Sequence, residues 1–356
     1  MEKSSYKISI QPIGTFFFGG ERNFYDDARD RVNYLVHSLL IPQQTTVLGM
    51  LRYALRGSLL KCEAEDLKLE ELIGATGFSG EDKAMGVIER ISPVFLENKD
   101  GLYYEAGIDY QVSPENRQGY LEYKQIAGKA VLAETTEYIP YLPEYELKLD
   151  HKHFLVNEMD TGDRVAYDQI FLSCEQAGNF KNHEDFENDK EGFYKEIRYR
   201  LSKGFQFCFF LETSQKLCPA SFLAFMGGEQ SEFKITVTSG SAFEWEKEVK
   251  DKSGRVVLQS DAFLTPEILA TCSFALLEST NFRHIKTNVQ MKNYALISYN
   301  NNDQIPSKSC NIKLAGRGSV LYCDDLKSFS RRMSESVYRR IGYNYFQIKN
   351  EYEELY

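Results

Sequence analysis

One tryptophan, Trp245, and five histidines are all that the 356 residues contain of those two types. No apolar run is long enough to cross a bilayer, and the most apolar stretch, Phe205 to Leu211, is strand length. No hydrophobic core of a secretory signal follows Met1 to Ser5, so none is expected. The seven cysteines, at 62, 174, 208, 218, 272, 310 and 323, form no Cys-x-x-Cys pair. An odd, scattered set reads as reduced thiols in a cytoplasmic protein and excludes a disulfide framework. Gly-x-Ser-x-Gly and His-Glu-x-x-His are also missing, which removes two common hydrolase signatures.

What is present suits a folded chain of two domains with insertions. Apolar residues make up 42%, enough for real cores. Aromatic content is divided between 24 Phe and 23 Tyr. Net charge is −10, which by itself argues against a nucleic-acid partner. Its distribution argues the other way. Residues 1–62 carry eight Lys or Arg against five acids, and residues 283–340 carry eleven against four. Residues 100–165 carry thirteen acids against six basic residues. Basic ends around an acidic centre suggest one basic face, with acidic surface left for solvent or proteins.

Tyr6 to Ile13 alternates as a strand does. After a loop with Gly19-Gly20 comes a mostly buried helix over 47–60, its apolar positions including Tyr53, with Thr45 or Thr46 as N-cap. Strands are expected over 85–96 and 102–106, around a turn at 98–101. Strand, helix, strand opens a ferredoxin-like unit. Residues 107–165 read as inserted hairpins and loops, and 181–191 as a surface loop. Further strands are expected at 196–201, 205–212, 233–238, 256–264, 294–299 and 319–323, then a helix over 324–340.

Three segments could hold RNA. In Pro42 to Arg52, a Thr-capped helix start offers free N–H groups to phosphate, Gly49 permits close approach, and Arg52 can reach a phosphate or base edge. Plain capping with a packing glycine suits the same spacing. In Leu314 to Ser319, Gly316 and Gly318 flank Arg317, so a tight turn could present N–H groups and a forked donor to an anion. The Gly-Lys-Ser/Thr ending of a phosphate-binding P-loop is missing. Lys203 to Phe210 nearly matches the stacking strand of single-stranded RNA readers, departing at Gln206 and Cys208. A hairpin with a buried face gives the same pattern. Catalytic and metal sites are thin. His151 and His153 read as solvated loop residues, and His37 is the one candidate base for RNA cleavage.

Taken in order, Phe16-Phe-Phe-Gly-Gly-Glu-Arg22, Ile41 to Arg52, Glu191-Gly-Phe-Tyr194, Met226-Gly-Gly-Glu229, Leu264-Thr-Pro266 and Gly316 to Val320 resemble the RAMP superfamily of CRISPR effector proteins. Within it, the chain is similar to the third subunit of Cmr-type (type III-B) complexes. The resemblance implies an α+β chain of two tandem ferredoxin-like domains, 1–165 with a thumb-like insertion at about 107–165, and 166–356 with the Gly-rich loop. It implies a non-catalytic subunit, without metal or cofactor, that holds the 5′ tag of CRISPR RNA (crRNA). The partners it implies are the large polymerase/cyclase subunit and the backbone RAMP subunits, with no membrane. Carried onto this sequence, the RNA-binding residues are Gly19, Gly20 and Arg22, beside Glu21. The first-helix set is Gln44, Thr45, Thr46, Gly49 and Arg52, and the loop set is Gly316, Arg317, Gly318 and Ser319. The alternatives are a metal-independent endoribonuclease that processes precursor crRNA, a Csm-type tag-binding subunit, and an unrelated protein scaffold that binds no RNA.

Overall fold

Alternation builds the first strand, Ser4–Pro12. Tyr6, Ile8 and Ile10 face the core, while Lys7 and Ser9 face the other side. In the computed structural model, the described residues are 3–20, 22–24, 34–56, 59, 67–74, 85–112, 118–120, 122–130, 133–141, 153–158, 164–181, 191–227, 229–240, 249, 252–282, 285–286, 307–308 and 311–349. Ser4–Pro12 pairs antiparallel with Gln206–Thr213 on one edge and with Ser231–Ser239 on the other. It thereby sits inside a nine-stranded sheet. Outward past Gln206–Thr213 come Phe95–Asn98, Gly101–Glu105, Phe154–Asn157 and Arg164–Ala166, and Ala220–Met226 closes the other side. Ile88–Ile91 also pairs with Gln206–Thr213. The sheet therefore takes strands from both sides of the 165/166 division expected from the sequence.

The first helix, Gln44–Leu55, covers one face of this sheet at Ala220–Met226. It buries Val47, Leu48, Met50, Leu51, Ala54 and Leu55 in a core shared with Ile8, Ile10, Phe207, Phe209, Phe233 and Ile235. Each of these Val, Leu, Ile, Met and Phe side chains contributes about 1.5–3 kcal/mol when fully buried. Two expectations need correction. The N-cap is Gln43, without a side-chain cap bond, so Thr45 and Thr46 lie inside the first turn. Tyr53 is 72% exposed rather than buried, because it lies on the side of the helix away from the sheet.

The aromatic segment after the first strand is core. Phe18 stacks on Phe233 at 5.6 Å, and Phe16 meets Phe207 edge-on at 5.5 Å. Phe207 and Phe209 are fully buried in this core, so the Lys203 to Phe210 segment is a core strand with those rings turned away from any base. Nor does it form a hairpin with the run before it. Glu191–Leu201 pairs instead with Phe171–Lys181 and, in parallel, with Tyr34–His37.

A second layer follows later in the chain. Cys272–Leu276, Val320–Cys323, Gly254–Leu258 and Phe346–Lys349 form a four-stranded antiparallel sheet in that order. The helix Leu326–Ser334 packs Leu326, Phe329 and Met333 against it. Asp325 caps this helix by accepting from Ser328 N at 3.0 Å, and Arg331 and Arg332 occupy its last turn. The expected single helix ends there. A 3-10 turn, Val337–Ile341, follows and closes at Gly342 with φ +93°. Within 107–165, Glu122–Ala130 and Ala133–Tyr141 form a hairpin, as the insertion reading expects. The strand expected at 294–299 and most of the 181–191 loop lie outside the described residues. Among the described residues the architecture is mixed α and β, with antiparallel sheets predominating and few helices.

Candidate functional site

The Gly-rich loop sits where the two sheets meet, and its backbone N–H groups are all donated. Gly316 N donates to Glu278 O at 2.7 Å and Arg317 N to Asp261 Oδ1 at 3.0 Å. Gly318 N donates to Leu258 O at 2.8 Å and Ser319 N to Gly316 O at 3.1 Å. Gly318 O accepts from Ile108 N at 2.9 Å, and the buried Ser319 hydroxyl accepts from Glu278 N at 3.0 Å. Gly318 has φ +83°, a conformation that favours glycine. The expected nest of free N–H groups is not what this geometry makes, since all four are donated inside the chain.

Arg317 projects into the junction. Its Nη2 donates to Val94 O at 2.8 Å, and its Nη1 lies 3.7 Å from Glu105 Oε1. Tyr167 donates to the same carboxylate oxygen at 2.5 Å. Burial pushes the Glu105 carboxyl up, against the opposing pull of Arg317 and Tyr167. Burial likewise raises Asp261, against the N–H bond and charge of Arg317.

Val94 also connects this loop to the first helix. With its amide set to satisfy both ends, Gln44 accepts from Val94 N at 3.0 Å and donates to Ile341 O at 3.2 Å. One peptide segment thus bonds both the helix start and the Gly-rich loop. Thr46 N and Val47 N donate to Gln43 O at 2.9 and 3.2 Å. Tyr343 is buried against Thr45, and a Cβ placed on Gly342 would fall 2.7 Å from Gln44. The helix start therefore faces the 341–343 turn. Further along, Gly49 is exposed, and a Cβ placed there would meet nothing within 4 Å. Among the described residues it makes no close backbone contact.

Gly19 and Gly20 pack through their backbone. Gly19 has φ +80°, and its carbonyl accepts from Leu39 N at 2.8 Å. A Cβ on Gly20 would fall 1.8 Å from His37 O, so only glycine fits. Arg22 enters the short strand Arg22–Phe24, paired with Val36. Glu21 lies outside the described residues.

The family model for CRISPR-associated protein (Cas_Cmr3) matches residues 8–349. The chain belongs to the Cas_Cmr3 family. No curated protein matches it in sequence. It is similar to a chain in a cryo-EM structure of the Type III-B Cmr-beta bound to cognate target RNA. There the TM-score is 0.51 with 13% identity, covering 97% of this chain and 99% of that one. A second such structure, with cognate target RNA and AMPPnP in state 1, gives TM-score 0.49 and 12% identity over 96% of each chain. The first of these likenesses supports the fold.

For this Cas_Cmr3 chain, sequence reasoning missed His153. It does not stand in a solvated loop. It is partly buried, its Nε2 is 3.1 Å from Glu278 Oε1, and its ring centroid is 5.2 Å from that of Tyr167. Burial disfavours its charge, but the Glu278 hydrogen bond and the Glu278 and Glu105 charges outweigh burial and raise its pKa above 6.5. The folded state then holds the proton more tightly than the unfolded chain does. This stabilisation is full below pH 6.5 and is lost as pH rises through the folded value. Because Glu278 is partly solvent-exposed, it is worth about 1 kcal/mol at most. The melting-temperature gap between wild type and His153→Asn should narrow between about pH 5.5 and pH 8.5. A gap that stays constant over this range would exclude the pair as a titrating contact. No sequence signal places Glu278 beside His153, since the two are 125 residues apart.

Proposed function

We propose that the chain is the non-catalytic subunit of a type III-B CRISPR ribonucleoprotein that holds the 5′ repeat-derived tag of crRNA. In this reading it is built on two ferredoxin-like units and caps the complex beside the large polymerase/cyclase subunit, next to the backbone subunits. The family match over residues 8–349 carries the reading. The solved chain it resembles over nearly its whole length comes from a Cmr complex bound to RNA. The Glu122–Ala130 and Ala133–Tyr141 hairpin is the candidate thumb that parts tag from guide. The junction chemistry fits a scaffold. The N–H groups of the Gly-rich loop and the Arg317 guanidinium brace the two sheets, so RNA contact falls to residues whose side chains face outward.

Co-expression with the neighbouring genes and a repeat RNA tests this, with purification on this chain and mapping of bound RNA 5′ ends. A uniform repeat-derived end, unchanged in His37→Ala and His153→Ala, is the expected result. Loss of the defined end in either variant would make the chain a processing nuclease, and absence of RNA would make it a protein-only scaffold.

A further inference from the structure

Two thiols of the second sheet meet across neighbouring strands. Cys272 Sγ lies 3.1 Å from Cys323 Sγ, although the residues are 51 positions apart in sequence. They are direct partners in the antiparallel register of Cys272–Leu276 and Val320–Cys323. Cα atoms paired in this way stand about 4.5–5.5 Å apart, inside the span of about 4.4–6.8 Å that a disulfide bridges. Both are free thiols.

Their surroundings give them different parts. Cys323 is buried in the core beneath the helix Leu326–Ser334. Cys272 is half-buried on the edge strand of the sheet, within reach of a small solute. The hydrogen bond from the Cys323 thiol lowers the Cys272 pKa from its ordinary value, against burial and the Asp324 charge. That same bond, together with burial, raises Cys323 and keeps it protonated. A half-exposed sulfur that ionises first, beside a thiol that can resolve it, is the arrangement of a peroxide-reactive cysteine pair. In a reducing compartment such a pair rests as thiols, and its disulfide is transient.

We propose that Cys272 and Cys323 form a reversible oxidation site for hydroperoxides, which join the two sulfurs in a cross-strand disulfide. The Cys272 thiolate attacks a peroxide oxygen, making an S–O bond and breaking the O–O bond. With hydrogen peroxide, the hydroxide that leaves takes up a proton and becomes water. Cys323 Sγ then attacks the sulfenic sulfur, making the S–S bond and breaking the S–O bond, and its proton leaves with that oxygen as a second water. In all, two thiols give up two electrons and two protons, and one hydrogen peroxide becomes two waters. A thiol reductant reverses the link by exchange. The link closes a ring of chain that contains Glu278 and the Gly-rich loop, so it constrains the junction that Arg317 braces. It does not depend on the tag-binding reading.

The test treats the full chain with hydrogen peroxide, unfolds it in iodoacetamide, digests it without reductant and reads the peptides by mass spectrometry. A peptide pair joined through Cys272 and Cys323, and parted by dithiothreitol, is the expected result. The linked protein should also melt at a higher temperature than the reduced one, because the bridge restricts the unfolded chain. Cys323→Ala should stop at a sulfenic acid on Cys272 that dimedone captures, and Cys272→Ser should leave Cys323 unoxidised. The wild-type cross-link stands as a result even if neither variant folds. Recovery of both cysteines alkylated after peroxide would overturn the proposal. So would a link from either one to another cysteine, or oxidation of Cys272 to the sulfinic acid with Cys323 still a thiol.

Discussion

Arg255→Ala is expected to cost about 3–5 kcal/mol of stability and to lower the melting temperature by on the order of 10 °C. Arg255 is 3% exposed in the middle of the second sheet. Its Nε donates to Asp109 Oδ2 at 2.7 Å, and its Nη2 donates to Asp109 Oδ1 and, at 2.8 Å, to Ala106 O. Tyr322 donates to Asp109 Oδ2 at 2.7 Å. The pair ties the 106–109 turn leaving the first sheet to the Gly254–Leu258 strand of the second. Removing the cation leaves a fully buried carboxylate with only Tyr322 as a remaining donor among these contacts, and that orphaned charge dominates the cost. The double variant Arg255→Met with Asp109→Leu should recover most of the loss, since neither charge is then stranded. Chemical denaturation of the three proteins decides it. A single variant within about 1 kcal/mol of wild type would mean that the pair stabilises little.

Arg317→Ala should cost about 3 kcal/mol by removing the cation beside the buried Glu105 carboxylate, which keeps only Tyr167 as donor among these contacts, and by taking the Arg317 donor from the Val94 carbonyl. Glu105→Gln placed in the same chain should offset much of this, and the two changes should be strongly non-additive. A guanidinium held inside the junction predicts a further result. The salt dependence of guide-RNA binding should keep its slope in Arg317→Ala, because no phosphate contact is lost. A phosphate ligand, the role expected from sequence, would lower the slope by about one unit and leave melting unchanged. Measuring both quantities on one variant separates brace from ligand.

Why the sequence announces some of this and hides the rest follows from range. Strands that alternate are legible because one face is wet. Ser4–Pro12 and Ser231–Ser239 lie within two residues of their expected bounds. Ala220–Met226 escaped because it carries no charged residue to mark its outer face, although Leu223 and Phe225 are exposed there. The expected strand over 85–96 is two strands, because Ser92-Pro93 breaks the ladder. Tyr53 reads as core beside Leu51 and Leu55, yet two positions along a helix turn about 200°, to its opposite side. For Arg317 and the glycines beside it, local chemistry is ambiguous. Two glycines around an arginine make an anion nest or a structural corner, and only partners such as Asp261, Leu258 and Val94, all distant in sequence, decide between them.

The position of Ser4–Pro12 at the centre of its sheet also bears on how the chain is made. Tyr6 exchanges hydrogen bonds with Leu217, 211 residues later. At 5–20 residues per second, a ribosome needs about 10 to 40 s to deliver that partner. Until residues 206–213 emerge, for nearly all that time, Tyr6, Ile8 and Ile10 have neither of their neighbouring strands. A nascent fragment ending near residue 166 would contain the sheet's first strand but neither strand that flanks it. Two halves cut at that point should fold only in each other's presence, and recoding that slows translation between 166 and 239 should send more of the chain to chaperones or aggregates.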